Sequence, residues 1–215
     1  MSLLQMTDGK RGTSSGVGGP RVLSILDRPL AAKKGSGGGG SGGEVSLSAF
    51  SFLFSEMVQY YQSRVLSIAD LERKLEEAGY GVGHRMLELL ALRERQYRRE
   101  TKLIGVLQFV SSTVWKALFN KVADSLERST ENEDEYMIHE REPITNAFVS
   151  APADISQLNC AAYIAGIISG VLNGASFPAG VTAHHVAIGD GQRDKTVFLI
   201  KFRQDVLRRE AALSA

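Results

Sequence analysis

From Ser46 onward, apolar side chains recur every three to four residues, which is the spacing of one face of an α-helix. The main stripe of this first predicted helix consists of Leu47, Phe50, Phe54, Met57, Val58, Tyr61 and Val65. A second apolar set projects to roughly the opposite side, where a surface helix usually carries charge. Its members are Ala49, Phe52, Leu53 and Tyr60. Two interpretations stay open: the helix is sandwiched inside its own domain, or the second set is a subunit interface.

Three further helices are predicted before the first strand. A short one begins at Ser67, which together with Asp70 resembles a capping box, and Gly79 ends it. The next runs from about Val82 to Arg93, and the last runs from about Thr101 to Phe119. The first half of the domain is therefore predicted to be helical.

The second half combines strands with one internal helix. Short strands are predicted at Tyr136–His139 and Ala147–Val149. A helix from Leu158 to Leu172 is dense in small residues, which lets it lie close against a sheet. The two strongest strands, Val181–Ile188 and Thr196–Phe202, flank a Gly-rich turn and predict a hairpin.

This order of elements predicts the fold class. Helices first, an antiparallel hairpin late and a closing helix at Asp205–Ala212 favour an α+β domain. We expect two layers, with the helices packed on one face of a twisted antiparallel sheet. The domain is assigned to residues 44–215.

Residues 1–43 are predicted to form a flexible N-terminal tail. They are rich in Gly and Ser, and the run Gly35–Gly43 has too little apolar surface to order itself. The exception is an apolar island around Asp27 and Arg28, formed by Val22, Leu23, Ile25, Leu26 and Leu30. Two interpretations stay open: the island docks onto a partner, or the tail is inert.

Charge and cysteine content exclude several classes of protein. Lys+Arg 25 against Asp+Glu 24 gives a formal net charge of +1, so no overall field attracts nucleic acid. Cys160 is the only cysteine, which excludes an internal disulfide and fits a reducing compartment. No apolar run approaches the roughly 18 residues of a membrane span, so we expect any membrane contact to be peripheral.

Few residues offer catalytic or metal-binding chemistry. Cys160 could act as a nucleophile with His139, His184 or His185 as its base, but a free cysteine among alanines is typical of a packed core. Neighbouring residues of a strand point to opposite faces, so His184 and His185 are not expected to chelate one metal. The sequence predicts no catalytic, metal or cofactor site.

A basic cluster lies between the third and fourth predicted helices. It comprises Arg93, Arg95, Arg98, Arg99 and Lys102, with Glu94 and Glu100 interleaved. Two interpretations stay open: the cluster meets phospholipid head groups or an acidic partner, or it is a solvated and partly self-neutralised surface.

Several ordered blocks resemble one family. They are Glu44–Phe50, Phe54–Glu56, Arg98–Lys102, Val114–Phe119, Glu140–Glu142, Leu158–Ala161, Phe177–Pro178, Val181–His184 and Leu199–Phe202. In order and spacing they are similar to the fifth small core subunit of TRAPP, the transport protein particle. The resemblance covers roughly residues 44–207, and several ordered blocks are more specific than a single motif.

The resemblance implies a non-catalytic subunit of a vesicle-tethering complex. Such a subunit packs against a palmitate-binding paralogue within a heteromeric core, and the assembled core activates a Rab GTPase by nucleotide exchange in ER-to-Golgi transport. Because exchange belongs to the assembly, the chain alone is not expected to be an enzyme. The implied location is cytoplasmic, peripheral at cis-Golgi and endoplasmic reticulum membranes.

The resemblance also bears on acylation. The paralogue carries its acyl cysteine just before an Arg-Glu-Thr sequence, and here Arg95 stands at about that position before Arg99-Glu-Thr101. Cys160 lies in a different helix, so stable acylation is not expected.

Two functions of other classes remain as alternatives. The first is an α/β domain that binds a small apolar ligand in its core, because ligand-binding domains resemble the same fold. The second is a thiol enzyme that uses Cys160, which would require an exposed thiol within reach of a histidine.

Overall fold

The computed structural model describes residues 46–93, 99–147, 157–186 and 195–214. The helices are α1 (Leu47–Gln62), α2 (Ile68–Arg93), α3 (Leu103–Gln108), α4 (Trp115–Phe119), α5 (Ala162–Gly174) and α6 (Gln204–Ser214). The strands are β1 (Ser125–Arg128), β2 (Glu135–Glu140), β3 (Ala179–Val186) and β4 (Lys195–Phe202).

One helical run joins α3 to α4 through a π-helical stretch, Phe109–Val114. Together these segments account for the predicted helix from Thr101 to Phe119. The run ends at Asn120, whose left-handed backbone (φ 58°) closes the last turn. Asparagine tolerates this conformation better than most residues, so it serves as a helix stop.

The four strands form an antiparallel sheet in the order β1-β2-β4-β3. Ile138 of β2 lies opposite Phe198 of β4, and Phe198 lies opposite Ala183 of β3. These residues pack into the same hydrophobic cluster as the helices. Because side chains alternate across a strand, one face of the sheet meets the helices, and the predicted two-layer α+β architecture is confirmed.

Strand β1 is not among the strands that the sequence predicts. Its residues, Ser125–Arg128, form a short and mostly polar edge strand, so they carry little periodic signal. The strand predicted at Ala147–Val149 falls outside the described residues except for Ala147, which lies in a bend. The predicted turn of the β3–β4 hairpin also falls outside them, whereas the pairing of the two strands is confirmed.

The prediction that Gly79 ends a helix is wrong, because α2 continues without a break from Ile68 to Arg93. Gly79 and Gly83 face α5, and a Cβ on either would overlap the backbone carbonyl oxygen of Tyr163 or of Ile167. Gly79 therefore allows two helices to approach closely instead of capping one.

The small residues of α5 serve the same contact. A Cβ on Gly166 would overlap the carbonyl oxygen of Glu76, and one on Gly170 would overlap that of Tyr80. Glycines on both helices thus let the backbones of α2 and α5 touch. The prediction that these residues bring the helix close to the sheet is incomplete, because their tightest contacts are with α2.

The buried apolar side chains form two clusters. The main cluster lies between the sheet and the helices α3 to α6, with Leu90 from the end of α2. The smaller cluster lies under α1. Its buried members are Phe54, Val58, Leu71, Leu75, Leu158 and Cys160.

Two glycines of α2 provide a matched test of the helix contact. Gly83→Ala should destabilise the fold by about 2 to 3 kcal/mol, because its methyl group would overlap the Ile167 backbone. Gly81 has no atom within 4 Å of an added Cβ, so Gly81→Ala should stabilise the helix by about 0.5 to 1 kcal/mol. Denaturant unfolding of the two variants measures the difference, and equal effects would contradict the proposed packing.

Candidate partner-binding surface

Helix α1 is positioned by a cap at its start and by apolar contacts along one side. The Ser46 hydroxyl accepts a hydrogen bond from the Ala49 backbone N–H (3.2 Å). Such a bond satisfies one of the free amides at a helix N-terminus. Phe54 and Val58 are buried, and the Phe54 ring meets the Tyr163 ring edge-on at 5.4 Å. One side of α1 therefore faces the protein.

The opposite side of α1 carries large apolar residues in solvent. Phe52 is 75% exposed, Leu53 is 72% exposed and Tyr60 is 54% exposed. Ala49 is also exposed. We call Ala49, Phe52, Leu53 and Tyr60 the α1 outer face. Within the described residues, therefore, the rest of the domain covers only one side of α1.

A cation lies at one end of the α1 outer face. The Arg64 guanidinium sits 3.5 Å from the centroid of the Tyr60 ring, and its Nη1 donates to the Tyr60 carbonyl oxygen at 2.9 Å. A cation over an aromatic face is stabilising, and the Tyr61 ring meets the Tyr60 ring edge-on at 5.6 Å. Glu56, four residues from both Phe52 and Tyr60, is exposed on the same side, so this side of α1 combines large apolar side chains with one charge of each sign.

The turn beneath α1, which precedes α5, is held in place by Asn159. In the sequence this residue stands out only as part of the block Leu158–Ala161. Its backbone N–H donates to Glu72 Oε1 of α2 at 2.8 Å, and its side-chain amide donates to the Ala183 carbonyl oxygen of β3 at 2.8 Å. Its Oδ1 accepts from the Ala161 N–H at 3.1 Å. These bonds form a turn at residues 157–161, so α5 begins at Ala162, later than the predicted Leu158.

Cys160 is buried in the smaller cluster. Burial, together with the negative charge of Glu72, raises the pKa of the Cys160 thiol from its ordinary value of 9.0 to about 11. The thiolate is the reactive form of cysteine, so this environment opposes nucleophilic chemistry. The geometry that a thiol enzyme requires is therefore not met at Cys160.

Strand β4 separates His139 from His184 within the sheet. His139 of β2 and His184 of β3 both lie opposite Val197 of β4, so a whole strand stands between them. His139 Nε2 lies 3.3 Å from Glu127 Oε2, and His184 Nε2 lies 2.8 Å from the Thr182 hydroxyl. Among the described residues, no group of three His, Cys, Asp or Glu side chains is arranged to hold a metal ion.

Two of the family-like blocks meet at a buried carboxylate. Glu140 is almost completely buried and accepts a hydrogen bond from Trp115 Nε1 at 3.0 Å. Its other oxygen binds Lys121 Nζ and accepts from the Glu142 N–H at 3.3 Å. Buried charges require such partners. The arrangement fastens the α3–α4 run to β2 and is structural.

The remaining candidate residues are only partly described. Of the basic cluster, Arg93, Arg99 and Lys102 are exposed, whereas Arg95 and Arg98 lie outside the described residues. The tail residues Leu26, Asp27 and Arg28 also lie outside them. Within the four described segments, no helix combines the length and the apolar character of a membrane span.

A family model described as transport protein particle (TRAPP) component matches residues 50–203. The chain therefore belongs to the class of TRAPP components. The chain is 52% identical over 189 residues to trafficking protein particle complex subunit 5 of Dictyostelium discoideum, an alignment that covers 88% of this chain and 97% of the relative. It is 48% identical over 190 residues to subunit 5 of Homo sapiens, with 88% and 93% covered. The chain thus belongs to the TRAPP subunit 5 family, as the sequence blocks indicate.

Two more distant comparisons agree. Trafficking protein particle complex subunit 31 of Saccharomyces cerevisiae is 31% identical over 228 aligned positions, which cover 78% of this chain and 79% of the relative. The crystal structure of a subunit 3 from Naegleria fowleri, covalently bound to palmitic acid, superposes with a TM-score of 0.63. It is 17% identical in sequence and covers 74% of this chain and 95% of that chain, so it supports the fold alone.

The Cys160 environment predicts slow thiol chemistry. At pH 7 to 8, folded protein should resist iodoacetamide, because its thiol pKa of about 11 leaves little thiolate and the sulfur is buried. The same protein unfolded in guanidinium chloride should label fully. Rapid stoichiometric labelling of the folded chain, measured by intact mass, would contradict the burial of Cys160.

The same pKa shift gives a pH dependence of stability. Because the folded pKa lies above the unfolded value, the neutral thiol favours the folded state below pH 9.0, and this contribution is lost as the pH rises from 9.0 to about 11. A Cys160→Ala variant should lose less stability over this range than the parent chain in denaturant unfolding.

Proposed function

We propose that the chain is a non-catalytic core subunit of the TRAPP vesicle-tethering complex and supports Rab nucleotide exchange in ER-to-Golgi transport. Membership of the subunit 5 family makes it a component of a multi-subunit complex. The observation that carries the proposal is the α1 outer face, because three large apolar side chains remain in solvent on a helix whose other side is buried.

The partner at this face is a paralogous TRAPP subunit, of the type to which the palmitate-bound Naegleria subunit 3 belongs. Aromatic side chains at the centre of an apolar patch are typical of the residues that dominate interface energies. An interface of standard size buries about 800 Å² on each partner, which one helix face and its surroundings can supply.

Rab exchange is assigned to the assembly instead of to this chain. Cys160 is buried with a raised thiol pKa, and the relatives are named as subunits of a complex. No observation on the described residues favours the alternative of an apolar ligand in the core. We place the chain in the cytoplasm, peripheral at cis-Golgi and endoplasmic reticulum membranes, and imaging of the tagged chain in cells tests this location.

The N-terminal tail is proposed to contribute to the Rab-binding surface of the assembled complex. Leu26, Asp27 and Arg28 belong to the apolar island of residues 1–43, where Leu23, Ile25 and Leu30 also lie. Docking of such residues would bury apolar surface worth about 1.5 to 3 kcal/mol for each fully buried large side chain. Ordering costs of about 1 to 2 kcal/mol per residue oppose it, so the contribution is expected to depend on the partner.

Phe52→Asp tests the paralogue interface. The charge should weaken binding to a subunit 3 paralogue by at least about 2 kcal/mol, or roughly 30-fold, because it would be desolvated at an apolar contact. The melting temperature should change little, since Phe52 is 75% exposed in the chain alone. Gln204→Asp, which adds the same charge at an exposed polar position of α6, away from the α1 outer face, is the control. Binding that survives Phe52→Asp unchanged in calorimetry would sink the proposed interface.

Deletion of residues 1–43 tests the tail. The melting temperature should stay the same, because the Gly- and Ser-rich segment has little apolar surface to add to the hydrophobic core. Nucleotide exchange by the reconstituted complex should become slower. Unchanged exchange would make the tail inert, and a large fall in melting temperature would mean that part of the domain had been removed.

A further inference from the structure

Helix α1 is attached through the smaller hydrophobic cluster. Phe54 and Val58 are its buried anchors, and both belong to that cluster. Among the described residues, none of α1 belongs to the main cluster, which holds the sheet and α3 to α6. The orientation of α1 therefore depends on the other buried members of the smaller cluster, Leu71, Leu75, Leu158 and Cys160.

Two of these members, Leu158 and Cys160, belong to a short turn that hydrogen bonds hold in place. Leu158 and Cys160 contact the α1 side of the cluster, and Asn159 between them points into the protein. The Asn159 backbone N–H donates to Glu72 Oε1 at 2.8 Å across 87 residues of sequence. The Asn159 side chain fastens the same turn to β3 and accepts from the N–H of Ala161, the residue before α5.

We propose that Glu72 and Asn159 are positioning residues for partner binding: their hydrogen bond fixes the turn beneath α1 and thereby orients the α1 outer face toward a paralogous subunit. The choice of partner rests on the proposed function. The positioning of α1 within the chain rests on the contacts described above.

Loss of the hydrogen bond between Glu72 and Asn159 would loosen the turn beneath α1. A hydrogen bond from a backbone amide to a carboxylate is charge-assisted and stronger than a neutral one. Without it, the turn is held by the Asn159 side-chain bonds and is more mobile, so Leu158 and Cys160 shift more readily against Phe54 and Val58. The main cluster does not include these residues, so the effect should be a local opening of α1 and not global unfolding.

A loosened helix binds its partner less tightly. Binding would then have to order α1 again, and the free-energy cost of this ordering makes the net free energy of binding less favourable. Glu72 lies on α2 and is not part of the α1 outer face, and its carboxylate accepts the Asn159 N–H just before α5. Its substitution therefore acts through the orientation of α1.

The experiment uses full-length chains and two measurements. Hydrogen exchange is followed for the amides of α1 and of α5, and affinity is measured for a purified subunit 3 paralogue. Glu72→Ala should accelerate exchange in α1 roughly ten- to hundredfold with little change in α5, and should weaken binding by at least about tenfold. Glu72→Gln keeps the acceptor oxygen and should restore both values to within about threefold.

Glu77→Ala is the matched control on α2. Glu77 is exposed and pairs with Lys74 at 2.7 Å on the surface of the helix, so neither measurement should change appreciably. If Glu72→Ala does not fold, Glu72→Asp, which withdraws the carboxylate by one methylene group, replaces it.

Three outcomes would overturn the inference. Equal acceleration in α1 and α5 would make Glu72 a general stability residue, and a response no larger than that of Glu77→Ala would remove its role. Faster exchange in α1 with unchanged affinity would separate the helix from binding. If the parent chain does not bind the paralogue at all, the proposed function fails, while hydrogen exchange still decides whether Glu72 positions α1.

Discussion

The backbones of α2 and α5 touch, and the rest of the fold is arranged around this contact. Gly79 and Gly83 on one helix and Gly166 and Gly170 on the other remove the side chains that would otherwise separate them. Residues from Ile164 to Leu172 are buried, because α5 meets α2 on one side and the sheet on the other. A helix enclosed in this way has no polar face, which explains its apolar composition.

This contact also explains why α1 is so little embedded. The second half of α2 contributes Leu90 to the main core, whereas its first half contributes Leu71 and Leu75 to the smaller cluster. Among the described residues, helix α1 packs on that first half, on the turn before α5 and on Tyr163 at the start of α5. It keeps one apolar side against the chain and presents the other to solvent, as expected of an element that completes its packing with a second subunit.

Polar residues in the family-like blocks fasten elements together. Glu140 links the α3–α4 run to β2 through Trp115 and Lys121, and Asn159 links α2, α5 and β3. Each group is buried and hydrogen-bonded, so the loss of one partner would leave an unsatisfied polar group. These contacts give a structural reason for the presence of the blocks. They also surround Cys160 with packed residues, and burial raises the pKa of its thiol, so the thiol is unreactive.

The sequence alone determined the fold class, most helices, the late hairpin and the family, because these depend on local periodicity and on the order of short blocks. It also placed Phe52, Leu53 and Tyr60 off the core stripe of α1, since the angular spacing of a helix is fixed.

Only the tertiary structure decided the role of Gly79, because a glycine that ends a helix and one that admits a neighbouring backbone look alike in sequence. The same holds for β1, whose polar residues join the sheet through pairing with β2, and for Asn159, whose partners Glu72 and Ala183 are distant along the chain. Long-range hydrogen bonds and close backbone contacts leave no periodic pattern, so they become visible only when the chain is folded.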